Sequence, residues 1–127
     1  PASELGYAAD PAMIKRIRRR LSSLRLPAVR SGSNQEPRVE IGAILTGDQY
    51  LASESVRARL HERFRALAIE MEGASVAQTA SRLAVPWLIV RALSDLAGNE
   101  SSLDFSTFLD EVAANSALVV RHLLPIL

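Results

Sequence analysis

The sequence contains no cysteine, only two histidines and a single lysine among its 127 residues. Without cysteine there is no disulfide scaffold. His61 and His122 lie far apart and have no neighbouring ligand types, so a built-in zinc site has nothing to hold it. Long apolar runs are also missing, and none approaches the roughly 20 residues that a membrane span requires. No basic segment followed by an apolar one opens the chain, and a cytoplasmic protein is the expectation. The first residue is Pro1 rather than Met, in a polar, turn-like stretch, which reads as a sequence that begins inside a longer one. What is present is the composition of a folded domain: 48% of residues are hydrophobic and 23% charged, which excludes a disordered or low-complexity chain.

The net charge of +1 hides an asymmetry. Residues 1–40 carry eight basic against four acidic residues, whereas residues 41–127 carry seven against ten. Most of the excess is the run Lys15-Arg16-Ile17-Arg18-Arg19-Arg20, within a stretch where Met13, Ile14, Ile17, Leu21 and Leu24 fall on one helical stripe. The arginines then occupy the opposite, solvated face. No aromatics interleave with them, so a nucleic-acid-binding patch is not expected. Pro27 to Pro37, with Ser31-Gly32-Ser33-Asn34 inside it, reads as a surface loop.

From residue 38 onward, short apolar runs alternate with amphipathic stretches in three strand-then-helix units. The first has a strand over Val39 to Thr46, a break at Gly47-Asp48, and a helix from near Ser53 to Phe64, with Ser53 suited to its N-terminus. The second has a strand over Ala66 to Met71 and a small-residue helix from Ala74 to Leu83 that turns Val76, Ala80 and Leu83 inward. The third has a long buried strand over Trp87 to Leu93, then Ser94-Asp95 and a loop. A final helix of about 20 residues follows, with Phe105, Phe108, Leu109, Val112, Val119 and Leu123 at helical spacing and Pro125 ending it. This alternation predicts an α/β sheet covered by helices.

Ligands of open α/β sheets bind beyond the carboxyl ends of the strands. The three strands here end in Gly47-Asp48-Gln49-Tyr50-Leu51, Glu70-Met71-Glu72-Gly73 and Ser94-Asp95. Singly, Asp48, Glu72 and Asp95 could each serve a turn or a helix N-terminus. Together, carboxylates at adjacent strand ends repel one another unless a ligand gives them a purpose. There is no Gly-rich phosphate loop, no GxSxG elbow and no Ser-His pair, so phosphoryl and acyl transfer have no machinery. A carboxyl that donates a proton, a second that accepts from hydroxyls, and an aromatic ring that stacks on a planar base suit a sugar joined to a heterocycle. Arg91 interrupts the apolar third strand, and if buried it needs a carboxylate. Glu70, Glu72 and Asp95 are the candidates, with Glu70 favoured as a structural mate.

The segments Thr46-Gly47-Asp48-Gln49-Tyr50-Leu51, Ala68-Ile69-Glu70-Met71-Glu72-Gly73-Ala74-Ser75-Val76-Ala77-Gln78 and Pro86-Trp87-Leu88-Ile89-Val90-Arg91-Ala92-Leu93-Ser94-Asp95-Leu96-Ala97 carry a family resemblance. In order and spacing they resemble the purine nucleoside phosphorylase and hydrolase superfamily, and within it the bacterial 5'-methylthioadenosine/S-adenosylhomocysteine nucleosidases. The resemblance implies a three-layer α/β sandwich of the phosphorylase/hydrolase type, of which residues 1–127 would supply the C-terminal portion of the sheet with its flanking helices. It also implies roles. Asp95 would protonate N7 of adenine so that the base leaves neutral from an oxocarbenium-like state, with Ser94 helping to orient it. Glu72 would accept hydrogen bonds from the ribose hydroxyls and Met71 would pack on the sugar. Tyr50 would stack on the adenine, and the backbone of Leu51 would read its Watson–Crick edge. No cofactor or metal is implied. The expected partner is a small nucleoside rather than nucleic acid or membrane, and the intact protein is expected to be a cytoplasmic homodimer serving methionine salvage.

In the family, the carboxylate that activates the attacking water and the Gly-rich segments that complete the ribose pocket lie in an N-terminal half. Those elements are not found here, so the resemblance implies a chain that holds the acid and the binding half but not the base. Phosphorolysis is the alternative activity, yet no arginine occurs between Arg91 and Arg121, where some phosphorylases place one, and hydrolysis is favoured. A non-catalytic remnant that binds nucleosides or only dimerises is the other alternative.

Overall fold

A computed structural model describes residues 6–30, 36–51, 53–93 and 105–127, together with the placement but not the side chain of Phe105. The chain divides into two compact units: Pro1–Ala12 with Ile41–Ile89, and Met13–Glu40 with Val90–Leu127.

The first unit is a parallel strand–helix–strand arrangement followed by a helix. Strand β1 (Ile44–Thr46) pairs in parallel with β2 (Ala68–Glu70), with Thr46 opposite Glu70. Backbone bonds from Leu67 N–H to the Ala43 oxygen (2.8 Å) and from Gly47 N–H to the Glu70 oxygen (2.9 Å) extend the ladder at both ends. Parallel neighbours need a crossover, which helix α2 (Glu54–Phe64) provides. The Ser53 side chain accepts from the Val56 amide at its start, as that sequence position predicts. At its end Arg65 adopts the left-handed conformation (φ 54°) and its N–H reaches the His61 oxygen. His61 is used locally as well, its Nδ1 donating to the Ala66 carbonyl at 2.8 Å. Helix α3 (Gly73–Arg82) packs on β1. Its buried residues are Gly73 and Ala77, whereas Val76 and Leu83, expected to face inward, are exposed. Gly73 and Ala77 are one helical turn apart and small enough for close approach, and that selects the packed face over residue size.

The second unit is helical. Helix α1 (Pro11–Leu21) buries Met13 and Ile17 along the predicted stripe, and Leu26 and Val29 of the following segment are buried too. Helix α4 (Phe105–Leu123) contributes Phe108, Val119 and Leu123 and ends two residues before Pro125, which lies in a 3-10 turn, Leu124–Ile126. Leu109, assigned to the inner stripe from its spacing, is exposed. A polar residue takes a place on that stripe instead: Asn115 is 7% exposed and donates from Nδ2 to the Pro27 carbonyl at 3.0 Å. Asn115→Ala removes a buried side-chain hydrogen bond to the Pro27 carbonyl and is expected to cost about 1 kcal/mol, read as a lowered urea midpoint with an unchanged slope.

Two arginines of the basic run have work inside this unit. Arg16 Nε donates to the Ile126 carbonyl (3.2 Å) and Arg20 Nε to the His122 carbonyl (3.1 Å), while His122 Nε2 donates to the Arg20 carbonyl (2.8 Å). Carbonyls at the end of a helix have no partner within it, and cationic side chains suit that end of the dipole. The arginines thus bind α1 to the end of α4 rather than forming only a solvated face.

The third predicted strand is not a strand. Residues 85–93 form no ladder among the described residues. Trp87, Leu88 and Ile89 are half-buried and Val90 to Leu93 exposed, so Arg91 is not the buried cation expected from its apolar neighbours. A strand is defined by the partner that takes up its backbone groups, and an apolar run specifies burial without naming that partner.

Candidate functional site

The carboxyl ends of β1 and β2 lie side by side because the strands are parallel and Thr46 is in register with Glu70. Two of the three polar clusters singled out from the sequence are thereby brought to one edge of the sheet. Gly47 to Leu51 leaves β1 there, and Met71-Glu72-Gly73 leaves β2. Ser94 and Asp95, the third cluster, lie outside the described residues.

The first exit segment presents Tyr50, a residue 86% exposed, whose ring is open to a planar partner. Leu51 is half-buried, and its carbonyl accepts from Nη1 of Arg57 on α2 at 3.1 Å. Arg57 was not singled out by its sequence context. It stands six residues after Leu51 in an ordinary amphipathic helix, and only the fold of the exit segment back over α2 gives it that role.

The second exit segment is held more tightly. Glu70, the last residue of β2, accepts hydrogen bonds through Oε2 from the amides of Glu72 (3.0 Å) and Gly73 (2.7 Å). Its Oε1 accepts from the Gly73 amide (2.9 Å) and from the Thr46 hydroxyl. That hydroxyl accepts in turn from the Ala74 amide at 2.9 Å. The first free amides of α3 therefore point at a carboxylate and a hydroxyl, a favourable use of the positive end of the helix dipole. The sequence favours Glu70 among the possible mates of Arg91 and does not announce its hold on these amides. The available signal was an acidic residue three positions ahead of a glycine that opens a helix.

Glu72 stands at the N-cap position of α3, but its side chain makes no capping hydrogen bond. Both Glu72 and Met71 are exposed at the edge where the strands end. Among the described residues there is no group of three or more acidic or histidine side chains that could hold a metal ion, and no helix long and apolar enough to cross a membrane. A carboxylate, a thioether and an exposed phenol ring at neighbouring strand exits can accept from hydroxyls, pack on a sugar and stack on a base.

A parallel strand–helix–strand unit with recognition groups at the strand exits is an α/β arrangement for small polar ligands. The Phosphorylase superfamily model matches residues 2–125, and the chain belongs to that superfamily, with its α/β fold. It is 48% identical, over its whole length, to a 5'-methylthioadenosine/S-adenosylhomocysteine nucleosidase of Mycobacterium bovis, covering 51% of that protein. A nucleosidase of the same name from Chromohalobacter salexigens is 37% identical over 95% of the chain and 48% of the relative. The crystal structure of the Campylobacter jejuni 5'-methylthioadenosine/S-adenosyl homocysteine nucleosidase superposes with a TM-score of 0.59 at 27% identity, covering 91% of this chain and 46% of that one. The chain thus spans about half the length of the relatives it matches.

Proposed function

We propose that these residues are the C-terminal part of a single nucleosidase domain, one that hydrolyses the N-glycosidic bond of 5'-methylthioadenosine- and S-adenosylhomocysteine-type nucleosides and releases adenine. The observation that carries this reading is the 48% identity to a named nucleosidase over the whole length of the chain.

In this reading Tyr50 stacks on the adenine and the backbone of Leu51 faces its Watson–Crick edge. Met71 packs on the ribose and Glu72 accepts from its hydroxyls. Asp95, oriented with Ser94, gives a proton to N7 as the C1'–N9 bond breaks. The bonding electrons leave with a base that is neutral once protonated, the oxocarbenium-like sugar takes hydroxide from water, and the proton that water gives up balances the one Asp95 donated. The exposure of Tyr50, Met71 and Glu72 at one sheet edge supports the assignment of the binding half. No residue of this chain is assigned to activate the water. The intact protein is a cytoplasmic homodimer in the same reading, and its product feeds methionine salvage.

The test is adenine release from 5'-methylthioadenosine by the full-length protein, with and without inorganic phosphate. Equal release in both supports hydrolysis. Strict phosphate dependence would make the protein a phosphorylase, and calorimetric binding without any release would make it a nucleoside-binding remnant.

A further inference from the structure

A backbone that reads a base must be held in place by something other than the base. Leu51 is half-buried beside the exposed Tyr50, and the β1–β2 ladder, whose last bond is made by the Gly47 amide, ends before it. Among the described residues the Leu51 carbonyl accepts one hydrogen bond, from Nη1 of Arg57 at 3.1 Å, and the Leu51 amide makes none. A carbonyl oxygen has two lone pairs, so the guanidinium takes one and leaves the other to a ligand. Arg57 has a firm base from which to do this. It is half-buried near the start of α2, where its own amide donates to the Ser53 carbonyl at 3.1 Å and the Ser53 hydroxyl caps the helix. Its charged, planar donor group makes a stronger and more directional bond than a neutral donor would.

The Watson–Crick edge of adenine carries an acceptor at N1 and a donor in its 6-amino group. A 6-oxo purine carries the reverse, a donor at N1 and an acceptor at O6. A backbone that offers one N–H and one C=O fits adenine only while that C=O keeps its orientation, because a peptide turned over presents an N–H in its place. We propose that Arg57 is a specificity-determining positioning residue for the base: by donating to the Leu51 carbonyl it holds the peptide that follows Leu51 in the orientation that accepts from a 6-amino group, and so selects 6-amino over 6-oxo purines. This rests on the nucleosidase reading above, in which the Leu51 backbone faces the adenine, and adds to it a side chain that touches no substrate. A tie that served the fold alone would act on every base alike.

The test compares adenine with unsubstituted purine, which keeps N1 but has no 6-amino group. In the full-length protein, Arg57→Met retains an unbranched apolar stem without its donors, and is expected to weaken adenine binding about 10-fold. Purine, which makes no bond to the Leu51 carbonyl, is expected to bind within about 2-fold of wild type. Calorimetric titration of both ligands reads the split. The preference for adenine over hypoxanthine, read by competition, is expected to fall by about 10-fold as well. Arg57→Lys returns a charged donor without the planar fork, and is expected to recover part of the loss, leaving adenine about 3-fold weaker than in wild type. If Arg57→Met fails to fold, the lysine variant gives the same comparison between adenine and purine. Equal losses for adenine and purine, unchanged adenine affinity, or an undiminished preference over hypoxanthine overturns the assignment. A wild-type protein that binds neither adenine nor 5'-methylthioadenosine overturns the nucleosidase reading itself, and the role of Arg57 at the base falls with it.

Discussion

Asp95→Asn is expected to slow adenine release from 5'-methylthioadenosine by about 10²- to 10⁴-fold, the span attributed to a positioned proton donor. Asparagine keeps the size of the side chain and can still donate a hydrogen bond, but it has no proton to transfer at N7. The base must then leave with its negative charge unneutralised. Stability should be little changed, since the substitution is isosteric. The measurement is single-turnover adenine release by the full-length protein, with a thermal melt as control. A variant that retains the wild-type rate would place the acid elsewhere and remove the chemical basis of the hydrolase assignment. A substrate whose leaving group needs no protonation should be cleaved by wild type and variant at similar rates, which separates proton donation from misplacement of the substrate.

Leu123→Ala is expected to destabilise the helical unit by about 2–4 kcal/mol, the loss of transfer free energy plus the cavity left behind. Leu123 is 2% exposed, as is Ile17, and no other large side chains in the described residues are so enclosed. A small domain has only about 5–15 kcal/mol of net stability, so this single truncation removes a large share. The effect should be local. Amide exchange should accelerate in α1 and α4, which contribute the buried side chains of this unit, by more than in the β1–α2–β2 segment. Uniform acceleration through both units would show that they unfold as one, and a loss below about 1 kcal/mol would show that the site relaxes to fill the space.

The elements that the sequence made legible are those whose signal is local. Ser53 caps α2 because a hydroxyl at that position reaches an amide three residues on, and the stripe Met13–Ile17 buries because helical geometry alone brings the two together. The same reasoning misassigned α3, where Val76 and Leu83 are larger than Gly73 and Ala77 but face outward. The buried face of α3 carries small residues, and hydrophobicity carries no information on how near a neighbour comes. Asn115 was passed over because a polar residue interrupts an apolar stripe without announcing the Pro27 carbonyl 88 residues earlier. The apolar run of residues 87–93 predicts a strand, yet pairing is a property of two segments. At the candidate site, Tyr50 and Glu72 were legible as polar or ring-bearing groups at strand exits, with Met71 added by the family resemblance. Glu70 and Arg57 were not, since each acts on backbone atoms, and the identity of a backbone partner leaves no mark in a sequence.

The hold that Glu70 and Thr46 keep on the turn after β2 divides labour along four consecutive positions. Residue 70 answers to the fold, and so does residue 73, where a Cβ would lie 2.9 Å from Oε1 of Glu70 and make that carboxylate shift. Met71 lies between them, 47% exposed, on a backbone whose course is set without its side chain. Exchange at position 71 is therefore cheap in folding terms, and under the proposed function the surface offered to a sugar or its 5' substituent can be retuned there by one codon while the scaffold remains unaltered. A lineage, or a designer, seeking a different nucleoside has in this turn a place to vary that the architecture does not punish.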